Sequence, residues 1–138
     1  MDVAAAESFL ADHHQGVLIT LRADGRPQSS NIAFHFADGV ARISVTDGRA
    51  KTVNLRRDPR AVLHVIGESF YQYVAASGTV ELSPVSTEPG DATGQELLEL
   101  HDAVAAQPHS DPDDFFRAMV EDQRLVLRFR ADGYAGMV

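Results

Sequence analysis

Val17-Leu18-Ile19-Thr20-Leu21-Arg22-Ala23-Asp24-Gly25-Arg26 reads as a strand running into a tight turn. Side chains alternate across a strand, so Val17, Ile19 and Leu21 share one face, and Leu18 and Thr20 share the other. Asp24-Gly25 supplies the positive φ angles that a hairpin turn requires. Beyond the turn, Gln28 to Phe36 alternates again, with Ile32, Phe34 and Phe36 on one face and Asn31, Ala33 and His35 on the other. A second pair, Asp38-Gly39, turns the chain into Val40 to Val45. Three alternating runs joined by two Asp-Gly pairs predict an antiparallel meander.

The flanks extend that reading. Ala4 to His13 predicts a short helix with Phe9 and Leu10 facing inward. Arg49 to Arg57 predicts a second helix, stopped at Asp58-Pro59 because proline disfavours helical geometry in the residue before it. Ala61 to Ile66 is a fourth strand. Phe70 to Leu82 is a fifth, with a bend at Ser77-Gly78, where a glycine often marks a bulge. Residues 83–94 read as loop. Gln95 to Ala106 sets Leu97, Leu100, His101 and Val104 at helical core spacing. Ser110 or Asp111 caps a further helix, with Pro112 early and Phe115, Phe116, Met119 and Val120 along it. Arg124 to Arg130 alternates as a sixth strand, and the tail 131–138 carries no motif. The expectation is a mainly β (α+β) single domain over residues 1–138, a six-stranded antiparallel barrel with peripheral helices. The helices are too few and too irregularly placed for a parallel α/β fold.

Composition narrows the function. The 138 residues suit one domain. The absence of cysteine removes disulfides, thiol catalysis and thiolate metal sites. The six histidines are scattered and no metal-ligand spacing recurs, so no metal site is expected. There is no glycine-rich dinucleotide loop, no Walker loop and no Gly-x-Ser-x-Gly. The N-terminus lacks a basic leader and no run reaches membrane-spanning length, which predicts a cytoplasmic protein with no membrane partner. A formal net charge of −8 argues against nucleic acid as a partner. Within that acidic chain, five of the 12 basic residues fall between 49 and 60: Arg49, Lys51, Arg56, Arg57 and Arg60. Lys51 is the only lysine. Unpaired N–H groups at a helix start beside Arg49 and Lys51 suit a phosphate or carboxylate. Tyr71 and Tyr73, two apart on a strand, fit a core pair or the wall of a flat ring site. No carboxylate pair or nucleophile–base pair follows from spacing. These features describe an anion site on a small barrel without acid–base machinery. That fits a protein that binds a phosphorylated cofactor and leaves the chemistry to it.

Gly16-Val17-Leu18-Ile19-Thr20-Leu21, Asp24-Gly25-Arg26-Pro27-Gln28-x-Ser30-Asn31 and Arg49-Ala50-Lys51-Thr52-x-Asn54-Leu55-Arg56-Arg57-Asp58-Pro59-Arg60-Ala61 together resemble the split-barrel flavin and deazaflavin reductases. These are relatives of pyridoxamine 5′-phosphate oxidase. The branch using the deazaflavin coenzyme F420 is the nearer match, and Ser110-Asp111-x-Asp113-Asp114 with Ala118-Met119-Val120-x-Asp122-x-Arg124 is similar to it as well. The resemblance implies a six-stranded split barrel and a homodimer with cofactor sites at the subunit interface. It implies that Arg49, Lys51 and Asn54 hold the cofactor phosphate. It implies that Gln28, Ser30, Asn31, Val45 and Thr46 line the ring, and that Tyr71 and Tyr73 come from the partner. The implied activity is hydride transfer from reduced F420 to a small conjugated or heteroaromatic acceptor. The alternatives are an FMN-binding protein like pyridoxamine 5′-phosphate oxidase, or a non-catalytic carrier of flavin, deazaflavin or haem.

Overall fold

The computed structural model describes residues 1–138. Its strands are β1 (Gln15–Leu21), β2 (Pro27–Ala33), β3 (His35–Ala37), β4 (Val40–Thr46), β5 (Arg60–Ile66), β6 (Tyr73–Leu82) and β7 (Arg124–Met137). Its helices are α1 (Val3–Ala11), α2 (Ala50–Arg57), α3 (Ala92–Ala105) and α4 (Pro112–Glu121). All seven strands form one antiparallel sheet in the order β2-β1-β5-β6-β7-β4-β3. No helix is long and apolar enough to cross a membrane.

The strand count corrects the expected six. The run Gln28 to Phe36 is not one strand; it breaks at Phe34 into β2 and β3. Phe34 is fully buried, its N–H donates to the His14 carbonyl at 2.9 Å, and the His14 ring meets the Phe34 carbonyl at 3.1 Å. The backbone groups freed by the break therefore have partners. The break also corrects the meander. β2 pairs with β1 while β3 pairs with β4, so the two halves of one run form the two opposite edges of the sheet. Since Phe34 alone separates them, the sheet must curl until its edges meet, which makes a split barrel.

The alternating patterns fill that barrel as the sequence suggests. Leu18, Phe34, Phe36, Ile43, Val45 and Leu63 join one buried cluster, completed by Leu125, Leu127 and Phe129 of β7. Asp38 and Gly39 both have positive φ, as a two-residue hairpin turn demands. Ser77/Gly78 carries the expected bulge against β7, and a Cβ on Gly78 would collide with the Arg130 carbonyl. Other boundaries move. Residues 69–72 form a turn, closed by Gln72 N–H donating to the Ser69 carbonyl, so β6 begins at Tyr73 and Tyr71 is not on it. The tail 131–138, which carries no motif, continues β7 to Met137 in register with β6. α3 begins at Ala92 rather than Gln95, because the Asp91 carboxylate accepts from Gly94 N–H as its cap.

The helical pair α3–α4 packs on β7 through a second small core of Leu97, Phe115 and Val126. Glu96 fastens it further, accepting from Arg42 of β4 and Arg128 of β7. The Arg128 hydrogen bonds, with Arg42 behind them, hold the Glu96 carboxyl below its ordinary value of 4.5 despite partial burial.

Two measurements check this fold. Phe34→Ala should lower unfolding stability by about 3–5 kcal/mol in urea titration, the usual cost of emptying a buried aromatic site. A depressed carboxyl pKa contributes stability that is present above the unfolded value and lost as pH falls through the folded one. Wild type should therefore lose part of its advantage over Glu96→Gln as pH drops below about 4.5, with both melted across that window.

Candidate functional site

The basic segment lands where two strand ends meet. Thr46 of β4 is in register with Arg124, the first residue of β7. α2 starts directly beyond. Thr52, fully buried, donates its hydroxyl to the Thr46 carbonyl at 2.8 Å, and Arg49 N–H donates to the same oxygen. Arg49 is the extended N-cap residue rather than part of the helix, and its side chain caps nothing. The first intrahelical bond runs from Val53 N–H to the Arg49 carbonyl, so the N–H groups ahead of Val53 have no helical acceptor.

Of the five clustered cations, three have internal partners. Arg56 pairs with Asp47, Arg57 donates to the Leu21 carbonyl and Asn54, and Arg60 pairs with Asp58. Arg49 and Lys51 make no side-chain hydrogen bond or ion pair. Burial, then Arg49 and Arg124, push the Lys51 ammonium below its usual pKa. Arg124 closes one of the stretches that carry the family resemblance, but nothing in the chain order links it to Lys51. Its Nε is buried and has no hydrogen-bond partner, with Asp122 no nearer than 3.9 Å. Cations that repel one another, one with an orphaned N–H, fit an anionic group that is none of the protein's own.

Lys51 and Arg124 open into a cleft of about 530 Å³. On the sheet side Asn31, Ile32 and Ala33 of β2 and Ser44 of β4 line it; on the helical side stand Leu97, Leu100 and His101 of α3 with Phe115 and Met119 of α4. No carboxylate lines it. The cleft is thus mostly apolar with a cationic end, the form of a small-molecule site.

The other expected residues divide. Asn31 lines the cleft beside Lys51. Gln28, Ser30 and Asn54 instead join a chain of side-chain bonds. Asn54, only 7% exposed, donates to Thr20 at 3.1 Å; Thr20 donates to Gln28; Gln28 donates to Ser30 at 2.8 Å. The Asn54 carboxamide is therefore engaged at both ends, since its oxygen accepts from Arg57. Val45 points into the barrel core, leaving only its backbone to a ligand, and the Thr46 carbonyl already accepts from Thr52. Tyr71 and Tyr73 do not line the cleft. Tyr71 is 75% exposed with Phe70 at its edge, and Tyr73 stacks on His64.

The profile of the pyridoxamine 5′-phosphate oxidase family matches residues 3–127. The chain belongs to that family. Among solved structures it is similar to an F420 reductase, with 28% identity, a TM-score of 0.72 and 94% of each chain covered. It shares its fold with an FAD-binding protein from Mesorhizobium loti (18% identity, TM-score 0.70, covering 99% of this chain and 92% of that one). It also shares it with a haem-binding protein from Mycobacterium smegmatis (23% identity, TM-score 0.67, covering 99% of this chain and 55% of that longer one).

The electrostatics of the site give a stability prediction for this family member. Replacing Lys51 by methionine keeps an apolar stem and removes a repelled charge. Lys51→Met should melt at or slightly above wild type, within about 0.5 kcal/mol. A loss beyond ~1 kcal/mol in thermal melts would assign Lys51 a structural role.

Proposed function

We propose that the protein is a coenzyme F420-dependent reductase of a small conjugated or heteroaromatic acceptor. The observation that carries this reading is the cationic end of the cleft, formed by Lys51 and Arg124, whose Nε is orphaned, with the Arg49 charge acting on Lys51. The likeness to an F420 reductase supports the choice of cofactor. Lys51 and Arg124 would hold the cofactor phosphate, with the free N–H groups at the start of α2 beside them. Asn31 and the backbone at Val45–Thr46 would lie along the ring. Bound there, a reduced deazaflavin supplies a hydride. The chain's part is to orient that ring, exclude water under α3 and α4, and receive the acceptor.

A homodimer completes the proposal. The outer face of the sheet carries a row of register partners, Asn31, Val17, His64, Ala75 and Ala135, with no acid, lysine or arginine among them. The next row is Ile66, Tyr73 and Met137, of which Ile66 is 51% and Met137 63% exposed. A second copy of this chain suits so uncharged a face. It would bring Tyr71 and Tyr73 toward the partner's site.

Calorimetric titration with F420 and FMN side by side tests the cofactor. Each charge-assisted contact to an anion contributes roughly 1.5–3 kcal/mol, so Lys51→Ala should weaken F420 binding by about ten- to a hundredfold. Lys51→Arg should lose less. Unchanged affinity in Lys51→Ala would end the site assignment, and tighter FMN binding by wild type would make the protein an FMN enzyme. For the dimer, sedimentation of wild type should give twice the monomer mass, and Tyr73→Glu should give the monomer. A monomeric wild type at micromolar concentration contradicts the interface.

A further inference from the structure

The helical side of the cleft is apolar except for His101. The His101 ring, 43% exposed, has neighbours on two sides. Its Nδ1 meets the Asp102 carboxylate at 3.3 Å, and the ring packs edge-on to His109 and beside Phe115, with centroids at 5.1 and 5.3 Å. Asp102 is itself held, because His109 N–H donates to the same carboxylate oxygen at 2.9 Å. An ionised carboxylate only accepts hydrogen bonds, so this contact is made by the tautomer with its proton on Nδ1. A neutral ring then presents Nε2 as a hydrogen-bond acceptor, and that nitrogen has no partner in the protein. No other acceptor side chain stands on α3 or α4 in the cleft.

We infer that this side of the cleft binds a flat hydroxyaryl group whose O–H donates to His101 Nε2, with Asp102 as the positioning residue. The walls suit a planar apolar body. Phe115 offers a ring edge and Met119 a polarisable sulfur, both favourable against an aromatic system. A carboxylate in the same place would meet an acceptor lone pair. The anionic part of a ligand belongs instead with Lys51 and Arg124.

The hydroxyaryl group has two possible sources. One is the cofactor ring itself, since the deazaflavin carries a ring hydroxyl where FMN carries a methyl. The other is a separate phenolic substrate. The first source rests on the cofactor reading given under Proposed function; the hydroxyaryl subsite does not.

The test uses the full chain and two probes, 2-naphthol and 2-methylnaphthalene. Nitrogen-15 spectra of the histidine rings should show His101 protonated at Nδ1, with Nε2 moving when 2-naphthol is added and not with 2-methylnaphthalene. In His101→Phe the affinity ratio of naphthol to methylnaphthalene should fall by about three- to tenfold, the worth of one net hydrogen bond. A proton on Nε2, a silent Nε2 during the naphthol titration, or an unchanged ratio overturns the inference. The spectra of wild type decide the matter even if His101→Phe fails to fold. F420 and FMN titrated into both proteins identify the source. Weaker F420 with unchanged FMN in His101→Phe assigns the group to the cofactor, and no change in either assigns it to a separate substrate. An equal loss of both would mean general damage to the cleft and contradicts a hydroxyl-specific role. Failure of F420 to bind wild type would overturn the cofactor reading, while the naphthol result would still stand.

Discussion

The structure depends on the interruption of one strand at Phe34. A single run of alternating residues supplies both edges of a seven-stranded sheet, and one buried residue separates the halves. A flat sheet cannot satisfy that connectivity, so the sheet curls and the core forms inside it. Closure costs the Phe34 backbone its ladder bonds, and His14, immediately before β1, restores them. The same closure brings β2 near β4, opening the cleft between them and the α3–α4 pair.

The charges outside the barrel are treated in two contrasting ways. Under α3, the Arg42 and Arg128 guanidinium groups converge on Glu96, and the network clamps the helical pair to the sheet. At the start of α2 the opposite holds. Lys51 faces two arginines with no carboxylate among the residues lining its cleft. Buried pairs that are complete stabilise modestly, whereas uncompensated cations cost stability. A chain of net charge −8 has acids to spare, yet none lines this cleft. That is the trade expected where a site is shaped for a ligand rather than for folding.

Much of the fold is legible in the sequence because its signals are local. Asp-Gly pairs mark hairpins, alternation marks faces, and Gly78 marks a bulge where a side chain would strike Arg130. The break at Phe34 is not legible, because its cause lies in His14, twenty residues earlier, and in which strands Pro27–Ala33 and His35–Ala37 pair with. The tail was opaque for a similar reason: Gly133, Ala135 and Gly136 show no β preference alone and are held by register with β6. Within the site, Lys51 is legible from charge clustering, but Arg124 and His101 are not. Arg124 reaches Lys51 only through the β4–β7 pairing at Thr46. His101 sits at ordinary core spacing, and its orientation depends on Asp102 and on His109 beyond the end of α3. Asn54 is the reverse case, since the motif around it suggests a ligand contact while the fold gives its carboxamide to Thr20 and Arg57.

The central claim is that Lys51 has no side-chain partner and Arg124 Nε no hydrogen-bond partner within the chain because a phosphate is meant to lie beside them. A crystal structure of the protein grown with F420 tests that directly. The account predicts phosphate oxygens within about 3 Å of both Lys51 Nζ and Arg124 Nε, with the ring extending under α3 and α4. A phosphate seated elsewhere, touching neither Lys51 nor Arg124, would contradict it.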